Sequence, residues 1–181
     1  MHTFGRADLI EPEVTGEPGQ RTFRVLVMSG GDTASLWLEK EQMAALALAI
    51  RQLLEQTRNG EPEGEEAPPA PSLPFPAQPD IEMRLAKLGI GYDEPTHLVT
   101  IFAYDIEDVN TEADPDDDEE EATPSFSCQA TRAQCRAFAT RAEEMVEAGR
   151  PVCLLCGGPL EDGEHLCRRR NGHSQRPQTS Q

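Results

Sequence analysis

Two stretches of this chain, Lys40 to Gln56 and Thr131 to Ala148, align their apolar residues along one face of a helix, and each follows short strand-like segments. In the first, Met43, Leu46, Ile50, Leu53 and Leu54 form the stripe. In the second, Thr131 and Gln134 have the spacing of a capping box, and Gly149 and Pro151 supply stop signals. An amphipathic helix must cover its stripe, and a sheet face is the partner that neighbouring strands provide.

The strand candidates come in two groups. Thr22 to Met28 and Ala34 to Leu38 flank Ser29-Gly-Gly-Asp32, a hairpin signal. Ile81 to Tyr92 and Leu98 to Val109 form a longer hairpin candidate around Asp93-Glu-Pro-Thr, and Ser125 to Ala130 is a further strand ahead of the second helix. The two strand–helix units superpose at an offset of 92 residues, with Met43 on Cys135, Leu46 on Phe138, Ala47 on Ala139, and Ala34, Leu36 and Leu38 on Phe126, Cys128 and Ala130. Either an internal duplication or the ease with which two amphipathic helices slide into apolar register accounts for this match. The expected fold class is α+β: a two-layer sandwich of a mostly antiparallel sheet of about five strands with two helices on one face, plus a zinc-ribbon-like tail. Cys128 and Cys135 are expected as small apolar core residues.

Charge and proline mark the segments outside that body. Residues 59–79 are rich in Pro and Glu, and eight of the ten residues from Glu112 to Glu121 are acidic. Neither composition buries enough apolar surface to order itself, so a linker at 59–79 and a solvated acidic loop at 110–123 are expected within a 1–149 body. The acidic run lacks the turn glycine and distal glutamate of an EF-hand calcium loop. The formal net charge is −17, and residues 150–181 carry five arginines against Glu161, Asp162 and Glu164, leaving −19 on the rest. Such a body repels phosphate backbones and anionic membranes. With no signal-like apolar stretch at the N-terminus and no run long enough to span a bilayer, a cytoplasmic location is expected.

The strongest chemical signal is Cys153-Leu-Leu-Cys156-Gly-Gly-Pro-Leu followed by His165-Leu-Cys167. Three thiolates and an imidazole at this spacing suit tetrahedral zinc and define a metal-binding ribbon over 150–173, ahead of a disordered tail at 174–181. His173 competes with His165 for the fourth position. Four protein donors leave zinc no open site, so the metal is expected to be structural. Arg168, Arg169 and Arg170 follow the last ligand and form a possible phosphate contact, but no aromatic residue lies beyond Phe138 to stack a base.

A second motif is Gly16-Glu-Pro-Gly-Gln-Arg-Thr-Phe23, whose Glu17-Pro-Gly-Gln20 reads as a type II turn into a strand. The alternative to a plain turn is a polar ligand site built from Glu17, Gln20, Arg21 and Glu39. No nucleophile–base pair accompanies it, and a lone His97 is not a catalytic set.

This turn motif, Leu38-Glu-Lys-Glu-Gln42, the Ala148-Gly-Arg-Pro stretch leading into the cysteines, and the closing His165-x-Cys167 with Asn171-Gly172 together resemble a family of uncharacterised proteins found chiefly in actinobacteria, a domain of unknown function. The resemblance covers nearly the whole chain and puts the second ligand pair on His165 and Cys167. It implies a genomic neighbourhood with a phosphatase of the phosphoglycerate-mutase type and a protein resembling phosphoinositide-type kinases, and it implies no chemistry. The function expected is a non-enzymatic adaptor or regulatory partner of another protein. A small-ligand binder or enzyme using the polar turn is the alternative, and nucleic-acid binding through the basic tail is a weaker one.

Overall fold

The computed structural model describes residues 1–17, 20–57, 74–111, 123–148 and 155–156. The elements are β1 (His2–Arg6), β2 (Leu9–Thr15), β3 (Thr22–Ser29), β4 (Asp32–Leu38), α1 (Lys40–Gln56), β5 (Ile81–Asp93), β6 (Leu98–Asp105), α2 (Ile106–Thr111), β7 (Phe126–Thr131) and α3 (Arg132–Glu147). The class is α+β as expected, but the sheet has seven strands in the order β1-β7-β6-β5-β4-β3-β2, not about five. Four of its six pairings are antiparallel; β4 with β5 and β7 with β1 are parallel.

The two additional strands are the first two. In β2, Pro12 argues against a central strand, yet among the described residues β2 pairs with β3 alone and so tolerates a residue with no N–H to donate. The third helix corrects the strand expected from Leu98 to Val109. Here β6 ends at Asp105, whose Oδ1 accepts from the Glu107 backbone N–H at 3.0 Å and turns the chain into α2. The linker at 59–79, the acidic loop at 110–123 and the tail from 150 fall largely outside the described residues.

Lateral order and register repeat between the halves. The row Glu11–Leu26–Ser35–Glu82 crosses β2, β3, β4 and β5, and the row Gly89–Phe102–Ser127–Thr3 crosses β5, β6, β7 and β1 in the same sequence of pairings. Likewise Pro12–Val25–Leu36 is matched by Ile90–Ile101–Cys128. On the helices, Met43, Leu46, Ala47 and Ile50 are buried on α1, and the residues 92 further on, Cys135, Phe138, Ala139 and Ala142, are buried on α3. The repeat is therefore a property of the whole frame: strand pairings, facing and helix register all obey it, which apolar sliding of two helices would not produce.

The repeat also explains the bends. Ile81–Arg84 pair with β4 while Leu85–Asp93 pair with β6, with a register shift between Leu85 and Lys87. The chain from His2 to Thr15 does the same: β1 pairs with β7, β2 pairs with β3, and between them Ala7 N–H donates to Gln129 O (2.7 Å) while Asp8 N–H donates to Met28 O (2.8 Å). The sheet thus closes on itself through Ala7 and Asp8. One core results, joining Phe23, Val25, Leu36, Ile101 and Phe126 to the stripes of α1 and α3. Burial of each such side chain contributes about 1.5–3 kcal/mol.

The helices run antiparallel. Arg132 at the start of α3 is 2 % exposed and donates from Nη2 to Leu54 O (3.0 Å) and from Nη1 to Thr57 Oγ1 at the end of α1, with its guanidinium 5.6 Å from the Tyr92 ring centroid. A cation at the carbonyl end of a helix answers both the unsatisfied carbonyls and the dipole.

Candidate functional site

The corner where β4 ends and α1 begins is built from local rules. Leu38 closes β4 on the core, Glu39 caps α1 in extended conformation, and its backbone N–H donates to Gln42 Oε1 at 2.8 Å. The same amide reaches outward: Gln42 Nε2 donates to Leu85 O (3.3 Å) and Ala86 O (3.0 Å), fixing the bend of β5 beside the helix. The start of β5 is held by Asp80, whose Oδ2 accepts from Thr33 N–H (2.9 Å) and Thr33 Oγ1 (2.7 Å); these bonds hold its carboxyl below the usual range.

These constraints leave a cavity of about 540 Å³ lined among others by Thr15, Thr22, Trp37, Glu39, Arg84 and Ile106. Trp37 is held from two directions. Its Nε1–H donates to Glu82 Oε1 at 2.7 Å, and the Arg24 guanidinium lies 5.0 Å from the ring centroid while Arg24 Nε donates to Glu13 Oε2 at 2.6 Å. Arg84 stands opposite Trp37 in the parallel β4–β5 register and is exposed. The cavity thus offers an indole plane, a guanidinium and a carboxylate, groups that suit recognition.

A second cavity of about 340 Å³ shares Gln42 and Ala86 with the first and continues between α1 and β5, along Ala45, Leu46, Ala49, Leu88, Gly89 and Ile90. The two adjoin at Gln42 and Ala86, which are hydrogen-bonded to each other, and together are called the trough.

Of the four residues proposed from the polar turn, Glu39 lines the larger cavity. Glu17 and Gln20 are exposed and close the turn by a Gln20 N–H to Glu17 O bond of 2.9 Å; Arg21 is half-buried beside them. The turn joins Thr15 to Thr22, both of which line the cavity, so the motif and the cavity adjoin. Trp37, Gln42 and Arg84 were not singled out from the sequence. Trp37 and Arg84 meet through a parallel pairing, which leaves no turn signature between them.

Cys153, His165 and Cys167, with His173 and Arg168 to Arg170, lie outside the described residues. Cys156 is described, exposed in a turn. Among the described residues no three His, Cys, Asp or Glu side chains are grouped to hold a metal. Cys128 and Cys135 are buried as expected, and burial, with Cys135 adding to it, pushes the Cys128 thiol up to about 12. A thiol so protonated is not a nucleophile at neutral pH. Tyr92 Oη and His97 Nδ1 are 2.8 Å apart, which occupies the lone histidine at the β5–β6 turn.

Residues 2–167 match the family described as protein of unknown function (DUF3090). The chain belongs to the DUF3090 family. The match spans every strand and helix given above and ends at Cys167, the last of the proposed zinc ligands. No curated protein and no solved structure matches the chain. Among the described residues, no helix is long and apolar enough to cross a membrane.

Proposed function

We propose that this DUF3090 protein is a non-enzymatic binding protein, an adaptor that receives its partner in the trough between α1 and β5. The carrying observation is a departure from the internal repeat. The frame around the Glu39 corner recurs at Thr131, but the positions that place Trp37 and Glu39 on the 540 Å³ cavity hold Gln129 and Thr131 in the second half. Where one frame is used twice, the half with an indole, a guanidinium and a carboxylate around a cavity is the half adapted to recognition. The −17 charge keeps the protein soluble and favours a partner of opposite charge.

Partner capture from native cells tests this reading. The wild-type chain recovers a partner that the double variant Trp37→Ala/Arg84→Glu loses and that Arg51→Ala, whose side chain pairs with Glu143 on α3, retains. Equal recovery by all three chains would count against it.

The tail adds a structural zinc, in keeping with a cytoplasmic protein whose cysteines stay reduced. Cys153, Cys156, His165 and Cys167 would hold the metal, with His173 the competitor for the imidazole position. Three thiolates and one imidazole satisfy zinc without a vacant site, so the metal would fold the tail and present Arg168 to Arg170.

A further inference from the structure

We infer that the trough takes an extended peptide, which adds as a strand to the outer edge of β5 from Lys87 to Asp93. This rests on the binding reading above and names the form in which the partner presents itself.

The observation is how differently the two halves treat equivalent edges. Beside α3 the outer edge of β2 is guarded twice, and the bend that leads into it once. Arg141 Nη1 on α3 donates to Glu11 Oε1 on β2 at 2.8 Å, Gln134 Nε2 donates to Ala7 O at 2.9 Å, and Pro12 has no N–H to offer an incoming strand. Proline and inward-braced charges are the devices by which proteins keep a strand edge from pairing.

Beside α1, at the matching edge of β5, only the glutamine survives. The position of Arg141 is Ala49 on α1, that of Glu11 is Gly89 on β5, and that of Pro12 is Ile90. Two small residues stand where the brace would be, and the 340 Å³ apolar slot lies between them. Among the described residues Lys87 to Asp93 pair on one side alone, with β6. An unguarded edge beside an apolar slot is the arrangement that receives a strand: the backbone supplies the hydrogen bonds, and alternate side chains of the guest enter the slot against Ala45, Leu46 and Leu88.

The guest's charge follows from the host. The chain as a whole carries −17, so approach of a second copy is opposed and that of a basic strand is favoured. Lys87 at the rim is held over the Tyr104 ring, its Nζ 4.3 Å from the centroid, rather than pointing at a guest's cations.

The test rebuilds the missing brace. Gly89 is not among the glycines with a positive φ, and a Cβ there would meet Phe102 at 3.8 Å, a normal contact, so Gly89→Glu is sterically admissible. Ala49→Arg on α1 supplies its partner. The probe is a synthetic peptide of alternating Lys and Val, beside the same peptide N-methylated on alternate amides. The full-length chain should bind the plain peptide and slow hydrogen exchange at the amides of Lys87 to Asp93, and N-methylation should weaken binding by at least about tenfold. The variant Ala49→Arg/Gly89→Glu, folded by circular dichroism, should lose binding by a similar factor while Arg51→Ala keeps it. Equal binding of both peptides would overturn strand addition yet leave the trough as a site. Binding untouched by the rebuilt brace, no binding at millimolar peptide, or concentration-dependent dimerisation through β5 would each overturn the inference.

Discussion

Gln42 and Gln134, 92 residues apart, make the same connection in the two halves: each side-chain oxygen accepts from the backbone N–H of the residue capping its helix, and each side-chain nitrogen donates to a carbonyl at the bend of a long strand, Ala86 and Ala7 respectively. One amide thus closes a capping box and sets the distance from helix to sheet. Gln134 is 6 % exposed and Gln42 is half-buried, so the unmet partners differ in their access to water. Gln134→Ala should lower stability by about 2 kcal/mol and Gln42→Ala by about 1 kcal/mol. Urea denaturation of the two variants measures both, and an equal or reversed cost would refute the account.

Arg132 couples the helices end to end. Arg132→Met should lower stability by about 3 kcal/mol, since it strips the end of α1 of a buried charged donor. Lysine should recover part of the loss, because one ammonium cannot reach both Leu54 O and Thr57 Oγ1 in the fork geometry of a guanidinium. Hydrogen exchange at the last turn of α1 should quicken in the Met variant before global unfolding does.

The Cys128 thiol gives a pH signature. Unfolded, it releases its proton near 9.0; folded, it keeps it up to about 12. Between those values the folded state binds more protons, so stability falls as pH rises, and below 9.0 this thiol makes stability no more sensitive to pH. Wild-type protein should therefore lose more stability than Cys128→Ala on going from neutral pH to about pH 10.5. Parallel loss in both proteins would remove the thiol as the cause.

For the tail, purified protein should carry about one zinc per chain and release it on Cys153→Ser, while unfolding of the α+β body is unchanged. Reducing preparations free of metal would dispose of the ribbon.

The two long helices, α1 and α3, were legible because their stripes and capping residues are local: Thr131 and Gln134 read as a box in sequence and form one in space. The facing of Ala34, Leu36 and Leu38, and of Phe126, Cys128 and Ala130, was legible for the same reason. The first two strands were not. Pro12 reads as a strand breaker unless one knows that β2 lies at an edge, and β1 finds its partner 124 residues away in a parallel pairing with no hairpin turn to announce it. The cavity escaped similarly. Trp37 and Arg84 stand opposite each other only because β5 returns parallel to β4, and the trough beside Ala49 and Gly89 shows itself only against Arg141 and Glu11 at the matching α3–β2 edge.

Arg51 and Glu143 occupy one and the same position of the repeat, and they face each other: Nε donates to Oε1 at 2.7 Å and Nη2 to Oε2 at 2.6 Å. A position that meets its own image sits on the axis relating the halves. Were each half a separate molecule pairing with its twin, that place would hold arginine against arginine or glutamate against glutamate, and like charges would press on the helix contact. Joining the halves in one polypeptide lifts this restriction. The two copies become free to differ, first into a cation and an anion on the axis, and then into one edge that is shut and one that is left open.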